Sequence, residues 1–233
     1  MNKEELIKEL SKRGITCSND IASQLIDYTQ YILNWNEKVN LTAIKDEETF
    51  LEKMVFDSAL GLTDLDLSNK KALDIGTGAG FPGVVLYLLN PQMDITLLDS
   101  TTKKIKILED YAMQKGYKYH TISARAEEYT KEHREQFDYV FARAVAPLNI
   151  LLELALPLLK VGGTFIAMKG PGAEEEIAES QNALKKLNAR VGKIVIDILP
   201  ESKEVRNIVH IIKVKETNKK YPRDYKDIKK LPL

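Results

Sequence analysis

The chain has 233 residues with 34 acidic and 34 basic side chains, so it is long enough for one α/β domain with an accessory segment, and any nucleic-acid surface must be local. One cysteine excludes an internal disulfide and a multi-cysteine metal site, and three scattered histidines argue against a structural zinc. Because no apolar run approaches the roughly 20 residues of a membrane-spanning helix, we expect a soluble protein of the reducing cytoplasm with no membrane contact.

The first 64 residues have the apolar spacing of amphipathic helices. One short stripe, Leu6 and Leu10, ends at Gly14, and a second follows the capping sequence Ser18-Asn19-Asp20. The second stripe consists of Ile21, Leu25, Tyr28, Ile32 and Trp35. We predict an N-terminal helical cap region over residues 1–64, with Trp35 packed against the rest of the protein.

From residue 65 to residue 233, short β-rich runs alternate with helical stretches. Seven strands are predicted at residues 71–75, 94–99, 119–123, 137–143, 164–169, 193–199 and 206–215. Helices are predicted between them at residues 82–89, 101–114, 127–133, 148–159 and 173–188. This alternation is typical of a doubly wound sheet, and the short connection at 200–205 requires the last two strands to pair antiparallel. We therefore predict an α/β, Rossmann-like domain with a mainly parallel, seven-stranded sheet and an antiparallel last strand.

A glycine-rich turn follows the first predicted strand, in the sequence LDIGTGAGFPG of residues 73–83. Glycine permits positive φ and has no Cβ, so a ligand can lie against the backbone where the next helix begins. Gly78, Gly80 and Gly83 satisfy the dinucleotide pattern G-x-G-x-x-G. Asp74 would instead repel a pyrophosphate and tolerate the sulfonium and amino groups of S-adenosylmethionine. A tight turn without a ligand is the remaining interpretation.

Two later strand ends carry further candidate cofactor residues. Asp99 follows Gly76 by about 20 residues, where doubly wound folds place an acid that accepts both ribose hydroxyls. The same side chain could cap the next helix. After the third strand, Ala126 and Glu127 offer a backbone amide and a carboxylate to an adenine edge, although this segment alone would be a solvated acidic loop. These positions favour an adenosine-containing cofactor without choosing between the two classes.

Basic residues at strand ends and in the C-terminal tail are candidates for RNA contacts. Arg143 and Lys169 end the fourth and fifth strands, where each could face phosphate, a guanine edge or the cofactor carboxylate. The tail at 213–233 has eight basic and three acidic residues with two interleaved tyrosines, which suits flexible RNA but also a solvated terminus. The tail residues that we select for RNA binding are Lys219, Lys220 and Arg223.

Several segments together resemble one protein family. They are, in chain order, YILNWNEKVNLT, FDSA, LDIGTGAGFPG, LLDSTTKKIKIL, SARAEE, FDYVFARAVAPL, GGTFIAMKG and KKYPR. They are similar to the glucose-inhibited division protein B family, the bacterial small-subunit ribosomal RNA methyltransferases G, from Tyr31 to the C-terminus. The resemblance implies an S-adenosylmethionine-dependent, Rossmann-like methyltransferase that modifies N7 of one guanine in 16S rRNA. It also implies a cytoplasmic enzyme whose partner is 16S rRNA or the small ribosomal subunit, and we expect a monomer.

The resemblance assigns cofactor-binding positions residue by residue. The matching positions are Gly76, Phe81, Ala126, Glu127 and Arg143. From the strand-end argument we add Asp74, Gly78 and Asp99. Many family members have a histidine two residues before the pair that corresponds to Asp57-Ser58. Met54 or Val55 stands there in this chain, so no role is carried over.

The implied chemistry needs little from the protein. N7 of guanine keeps an in-plane lone pair at neutral pH, so no general base is required, and alignment of the reactants is what remains. We therefore predict no catalytic residue in the strict sense, with Arg143 the one candidate beside the acceptor. A cytosine-C5 mechanism would need a cysteine nucleophile, and Cys17 lies far in sequence from the strand ends. The alternatives are a nucleotide-binding oxidoreductase and a non-catalytic cofactor-binding protein.

Overall fold

The structure, a computed structural model that describes residues 1–233, is built around a seven-stranded sheet with the order β3-β2-β1-β4-β5-β7-β6. The strands are β1 (Lys71–Ile75), β2 (Asp94–Asp99), β3 (His120–Ser123), β4 (Phe137–Arg143), β5 (Leu159–Lys169), β6 (Ala189–Ile198) and β7 (Val205–Lys213). The helices are α1 (Lys3–Lys12), α2 (Asn19–Asn36), α3 (Glu47–Phe50), α4 (Asp57–Ala59), α5 (Gly83–Leu89), α6 (Thr102–Lys115), α7 (Ala126–His133), α8 (Leu148–Ala155), α9 (Ala173–Glu179), α10 (Gln181–Lys186) and α11 (Tyr225–Lys230). A π-helical turn (Leu51–Phe56) joins α3 to α4, and a 3-10 turn (Leu60–Leu62) follows α4.

The strand pairing confirms the predicted fold class. Strands β1 to β5 are parallel to their neighbours, whereas β7 lies between β5 and β6 and is antiparallel to both. The β6–β7 connection is too short to carry a helix, and it closes with a hydrogen bond from the Leu199 amide to the Glu204 carbonyl. The order reverses direction between β1 and β4, which creates the switch point where doubly wound folds bind ligands.

Two hydrophobic cores cover the two faces of the sheet. Successive strand residues point to opposite faces, so Ala72 belongs to one core while Leu73 and Ile75 belong to the other. The first core also contains apolar side chains of α1 and α2, such as Leu10 and Leu25. The N-terminal helices therefore pack directly on one face of the sheet.

Several element boundaries differ from prediction: β6 begins at Ala189 and not at residue 193, α8 ends at Ala155 and not at residue 159, and helix α11 has no predicted counterpart. Strand β5 begins at Leu159 and not at residue 164, because Leu159 already pairs with Phe137 before Gly162, with φ of 84°, interrupts the ladder. The helix predicted over 173–188 is two helices divided at Ser180, whose buried hydroxyl donates to the Glu176 carbonyl. The π-helical turn carries no local sequence signal and was not predicted.

The C-terminal tail is docked on the domain. Tyr221 and Ile228 are buried, and Arg223 makes two side-chain hydrogen bonds to the fully buried carboxylate of Glu153 in α8, at 2.8 and 2.6 Å. The tail is therefore not the solvated terminus that its composition also allowed. No helix of the structure combines the length and the apolar composition that a membrane-spanning segment requires.

Candidate functional site

A cavity of about 400 Å³ opens at the carboxyl ends of β1, β2 and β4. We call it the cofactor cleft. Its walls come from the glycine turn after β1, from Asp99 at the end of β2, from the loop after β3 and from the turn after β4. The cleft therefore lies at the topological switch point, and the sequence-predicted residues converge there from separate elements.

The glycine turn lines the cleft from Gly76 to Ala79, and its glycines differ in the space beside them. Gly76, Gly78 and Gly80 all have positive φ, at 69°, 58° and 82°. A Cβ added to Gly78 would meet only the Gly76 carbonyl oxygen at 3.9 Å, whereas one added to Gly80 would collide with Tyr28, and one added to Gly83 with Leu97. Gly80 and Gly83 therefore serve packing within the protein, and Gly78 is where a ligand can approach the backbone.

Asp99 links the glycine turn to the start of α6 but is not the N-cap of that helix, a position that Thr101 occupies. Its Oδ2 accepts the Gly78 N–H at 3.0 Å, and its Oδ1 accepts the Thr101 N–H at 2.8 Å just before α6. The residue is 9% exposed and lines the cleft. It thus fixes the glycine turn and presents carboxylate oxygens to a ligand.

Asp74 lies beneath the glycine turn and does not line the cleft, which corrects its assignment as a direct cofactor contact. Its Oδ2 accepts the Gly83 N–H at 2.8 Å, its Oδ1 has no hydrogen-bond partner, and the residue has no exposed surface. Burial raises the pKa of this carboxyl to about 7. Because this carboxyl faces the interior, it does not repel a pyrophosphate in the cleft.

The predicted adenine end of the cleft has a wall that the sequence did not indicate. Ala126 and Glu127 line it as expected, together with Tyr225 from α11. The Arg125 guanidinium lies 5.7 Å from the centre of the Tyr225 ring. Tyr225 is one of the two tail tyrosines whose composition suits RNA stacking, and nothing in the local sequence shows that the tail folds back on the cleft.

Arg143 is held at the other end of the cleft by the π-helical turn. Its Nη1 donates to the Lys53 carbonyl at 2.9 Å and to Asp57 Oδ2 at 3.1 Å, and its Nη2 lies 3.3 Å from Met54 Sδ. Burial lowers the pKa of Arg143, and the ion pair with Asp57 opposes this shift. Phe81, which also lines the cleft, lies 5.8 Å below the guanidinium.

A second cavity of about 650 Å³ adjoins the cofactor cleft. We call it the acceptor cavity. Four residues line both spaces and form the boundary between them: Met54, Arg143, Ala144 and Val145. Its other walls include Asp57, Lys169, Glu176 and Arg206. Of these, only Lys169 was selected from the sequence, and Asp57 had been noted within the FDSA motif without a role.

The two residues that could correspond to the family's histidine, Met54 and Val55, have different surroundings. Met54 lines both cavities, whereas Val55 is fully buried in the first core. Ala144, at the same boundary, has φ of 55°, a conformation that disfavours side chains. Sparsely populated backbone conformations often cluster at ligand sites, and this one lies where the two cavities meet.

The predicted RNA-binding residues differ in their surroundings. Lys219 and Lys220 are exposed in the tail. Arg223 is paired with Glu153, and Lys169 is 9% exposed and paired with Glu176 at 2.8 Å. Neither Arg223 nor Lys169 is a free surface cation, because each charge is neutralised within the fold.

Comparisons with known proteins identify the family. The family model described as rRNA small subunit methyltransferase G, GidB, matches residues 21–205. The chain is 42% identical to ribosomal RNA small subunit methyltransferase G of Halalkalibacterium halodurans, with all of both chains covered. It is 40% identical to the protein of that name from Alkaliphilus metalliredigens, over 96% of this chain and 95% of the relative.

Solved structures at low identity support the fold. TYW2 of M. jannaschii in complex with AdoMet aligns with a TM-score of 0.54 at 12% identity, over 68% of this chain and 74% of that one. TYW2 of P. horikoshii in complex with MeSAdo also gives a TM-score of 0.54, at 10% identity, over 68% and 60%. The resemblance seen in the sequence motifs is confirmed: this chain belongs to the rRNA small subunit methyltransferase G family.

Proposed function

We propose that this protein transfers a methyl group from S-adenosylmethionine to N7 of a guanine in the 16S rRNA of the small ribosomal subunit, in the cytoplasm. Curated relatives that match nearly all of the chain carry the name ribosomal RNA small subunit methyltransferase G.

The residues of the cofactor cleft fit S-adenosylmethionine. The Asp99 carboxylate suits a ribose diol, and the segment containing Ala126 and Glu127 offers polar groups to an adenine edge. Gly78 leaves room beside the backbone, and Arg143 brings a positive charge to the opposite end. S-adenosylmethionine supplies an electrophilic methyl group when bound. The task of the chain is then to hold both reactants, orient them and exclude water.

The boundary between the two cavities is the observation that carries this proposal. Its four residues are Met54, Arg143, Ala144 and Val145, none of which accepts a proton at neutral pH. An oxygen or exocyclic amine acceptor must lose a proton during methylation and benefits from a nearby base. The N7 lone pair needs none. The two carboxylates of the acceptor cavity, Asp57 and Glu176, are held in ion pairs with Arg143, Arg206 and Lys169. The absence of a free base at the boundary therefore favours a ring nitrogen such as guanine N7 as the acceptor.

The test is methyl transfer from labelled S-adenosylmethionine to 16S rRNA and to small-subunit particles. Nuclease digestion and mass analysis should identify a single 7-methylguanosine. Another methylated nucleoside, or no transfer from a protein that binds the cofactor, would contradict the proposal.

Cofactor binding is tested separately by calorimetry on Asp99→Ala. Loss of hydrogen bonds to a charged group costs roughly 1.5–3 kcal/mol, so affinity for S-adenosylmethionine should fall about tenfold or more. Asp94→Ala removes an exposed carboxylate from the opposite end of the same strand and is the control. Equal affinity for S-adenosylmethionine in the two variants would show that Asp99 does not bind the cofactor.

A further inference from the structure

A part of the acceptor cavity wall that is not shared with the cofactor cleft contains a built pair of polar groups. Lys169 ends β5 and Glu176 lies in α9, and both line the acceptor cavity while neither lines the cofactor cleft. Lys169 Nζ lies 2.8 Å from Glu176 Oε2 and donates to the Ala146 carbonyl at 2.8 Å. The Leu148 N–H donates to the same Oε2 at 2.7 Å. The pair is therefore fixed in place by the backbone at the start of α8.

Each member of the pair keeps unused hydrogen-bonding capacity. An ammonium has three N–H donors, and Lys169 uses two of them within the chain. Glu176 Oε2 takes both contacts, and Oε1 makes no hydrogen bond within the chain, although the side chain is 31% exposed. The cavity wall thus presents one donor next to one strong acceptor.

This arrangement is complementary to one nucleobase edge. Guanine presents the O6 acceptor beside the N1–H and N2–H donors, whereas adenine presents an N6 donor beside an acceptor nitrogen. We propose that Lys169 donates to O6 and that Glu176 accepts from the N1–H and N2–H groups of the acceptor guanine. The proposal rests on the proposed function, since it names the residues that select the base at that site.

The orientation that results agrees with attack by N7. N7 lies next to O6 on the edge away from N2, so contacts to O6, N1 and N2 leave the N7 lone pair unused and available for attack. Val145, Pro147 and Met168 line the same cavity and offer apolar surfaces to the faces of the ring. Enzymes that modify a base commonly hold it extruded between apolar side chains while reading its Watson–Crick edge.

A phosphate ligand fits this wall less well. The charge of Lys169 is balanced by Glu176, and the free Oε1 would repel an anion. A guanine edge uses both members of the pair, whereas a phosphate uses only one. The acidic member is therefore the observation that distinguishes base recognition from backbone binding.

Glu176→Gln is the decisive variant. Leu148 N–H and Lys169 are both donors, so they hold the amide oxygen of Gln toward themselves and leave its NH₂ group facing the cavity. The cavity then presents a donor where guanine also presents donors. Glu174→Gln makes the same charge change on an exposed position of the same helix and serves as the control.

The readout is binding of guanosine 5′-monophosphate and adenosine 5′-monophosphate by nuclear magnetic resonance titration, in the presence of S-adenosylhomocysteine. The wild-type protein and Glu174→Gln should prefer the guanine nucleotide by about tenfold or more, because a good bidentate base contact contributes about 1–3 kcal/mol of discrimination. Glu176→Gln should lose that preference while keeping its affinity for S-adenosylmethionine. Lys169→Met, which removes the O6 donor, should also lose it. Equal affinity for the two nucleotides in the wild-type protein, or an unchanged preference in Glu176→Gln, would overturn the proposal.

Methyl transfer separates this proposal from the proposed function. If the wild-type protein forms 7-methylguanosine and Glu176→Gln retains full kcat/KM, the function stands and the guanine-selecting wall is wrong. If the wild-type protein prefers the guanine nucleotide but methylates no RNA, the wall stands and the proposed function fails. Loss of kcat/KM in Glu176→Gln with unchanged cofactor affinity supports both.

Discussion

Asp74 and Asp99 are carboxylates at the ends of adjacent parallel strands, yet their surroundings give them different properties. Asp99 binds the Gly78 and Thr101 amides at the edge of the cleft. Asp74 points into the first core, where the Gly83 amide is its one backbone donor. Strand-end position can be inferred from sequence, but the face on which a side chain is buried depends on helices packed from elsewhere in the chain.

The raised pKa of Asp74 predicts a pH-dependent loss of stability. The group titrates at about 7 in the folded protein and near 3.8 when unfolded. Between these values the folded state binds a proton that the unfolded state releases, so stability falls as pH rises through this window. A shift of this size corresponds to about 4 kcal/mol. Asp74→Asn keeps an acceptor for the Gly83 N–H and lacks the charge. The free energy of unfolding of this variant should therefore rise relative to that of the wild-type protein as pH increases.

The measurement is urea unfolding of both proteins across this range of pH. Asp20→Asn, on the exposed surface of α2, controls for the loss of an unrelated carboxylate. A wild-type minus Asp74→Asn difference that stays constant from pH 4 to pH 7 would show that Asp74 is already ionised in the folded protein.

Helix α2 belongs to the N-terminal cap region and contacts the glycine turn of the cofactor cleft. Its start was predictable, since Ser18 accepts the Ile21 N–H as an N-cap. What the helix packs against was not. The Tyr28 hydroxyl, buried in the core, donates to the Ala79 carbonyl at 2.7 Å, directly beside the positive-φ Gly80. The cap region is thus part of the support of the glycine turn.

Tyr28→Phe tests this support. The substitution keeps the ring and its packing against Phe81 but leaves the Ala79 carbonyl without its donor, which costs about 1–3 kcal/mol for a buried group. We expect weaker binding of S-adenosylmethionine, by about tenfold, because the turn loses its fixed geometry. Calorimetry measures the affinity.

Tyr31→Phe is the matched control for this element. It removes a hydroxyl from the same helix, and that hydroxyl binds Asp110 and the Ile107 carbonyl in α6, away from the cleft. The control should lose stability and keep its cofactor affinity. Equal affinities in both variants would mean that α2 does not position the turn.

At the scale of the whole molecule, local patterns predicted the sheet and the cofactor cleft but not the acceptor cavity. The cleft is made of loops that directly follow strands, so each contributing segment has its own signal, as with Gly78 and Asp99. The acceptor cavity joins the π-helical turn, the end of β4, helix α9 and Arg206 of β7. Asp57 brings two of these together by accepting from both Arg143 and Arg206 at 3.1 and 3.0 Å. Such contacts between distant segments leave no periodicity in the sequence.

The tail is the other feature that depends on long-range contacts, and it changes how RNA binding should be tested. Arg223 lies against a carboxylate with no exposed surface, so Arg223→Glu would place two negative charges together in the fold. Breaking a buried ion pair typically costs about 3–5 kcal/mol, and any loss of RNA binding in that variant would reflect unfolding of the tail. Lys219 and Lys220 are exposed and can be changed without this penalty.

We therefore expect the double variant Lys219→Glu, Lys220→Glu to bind 16S rRNA more weakly while keeping its melting temperature and its affinity for S-adenosylmethionine. Each phosphate contact contributes roughly 0.7–0.9 to the slope of log affinity against log salt, so the slope should become shallower by about 1.5. Filter binding across a salt series measures both quantities. Lys12→Glu, Lys8→Glu, which reverses two charges on α1, is the control for a general electrostatic effect. If the two double variants lose affinity and slope equally, RNA is attracted by the overall charge of the protein and the tail makes no specific contact.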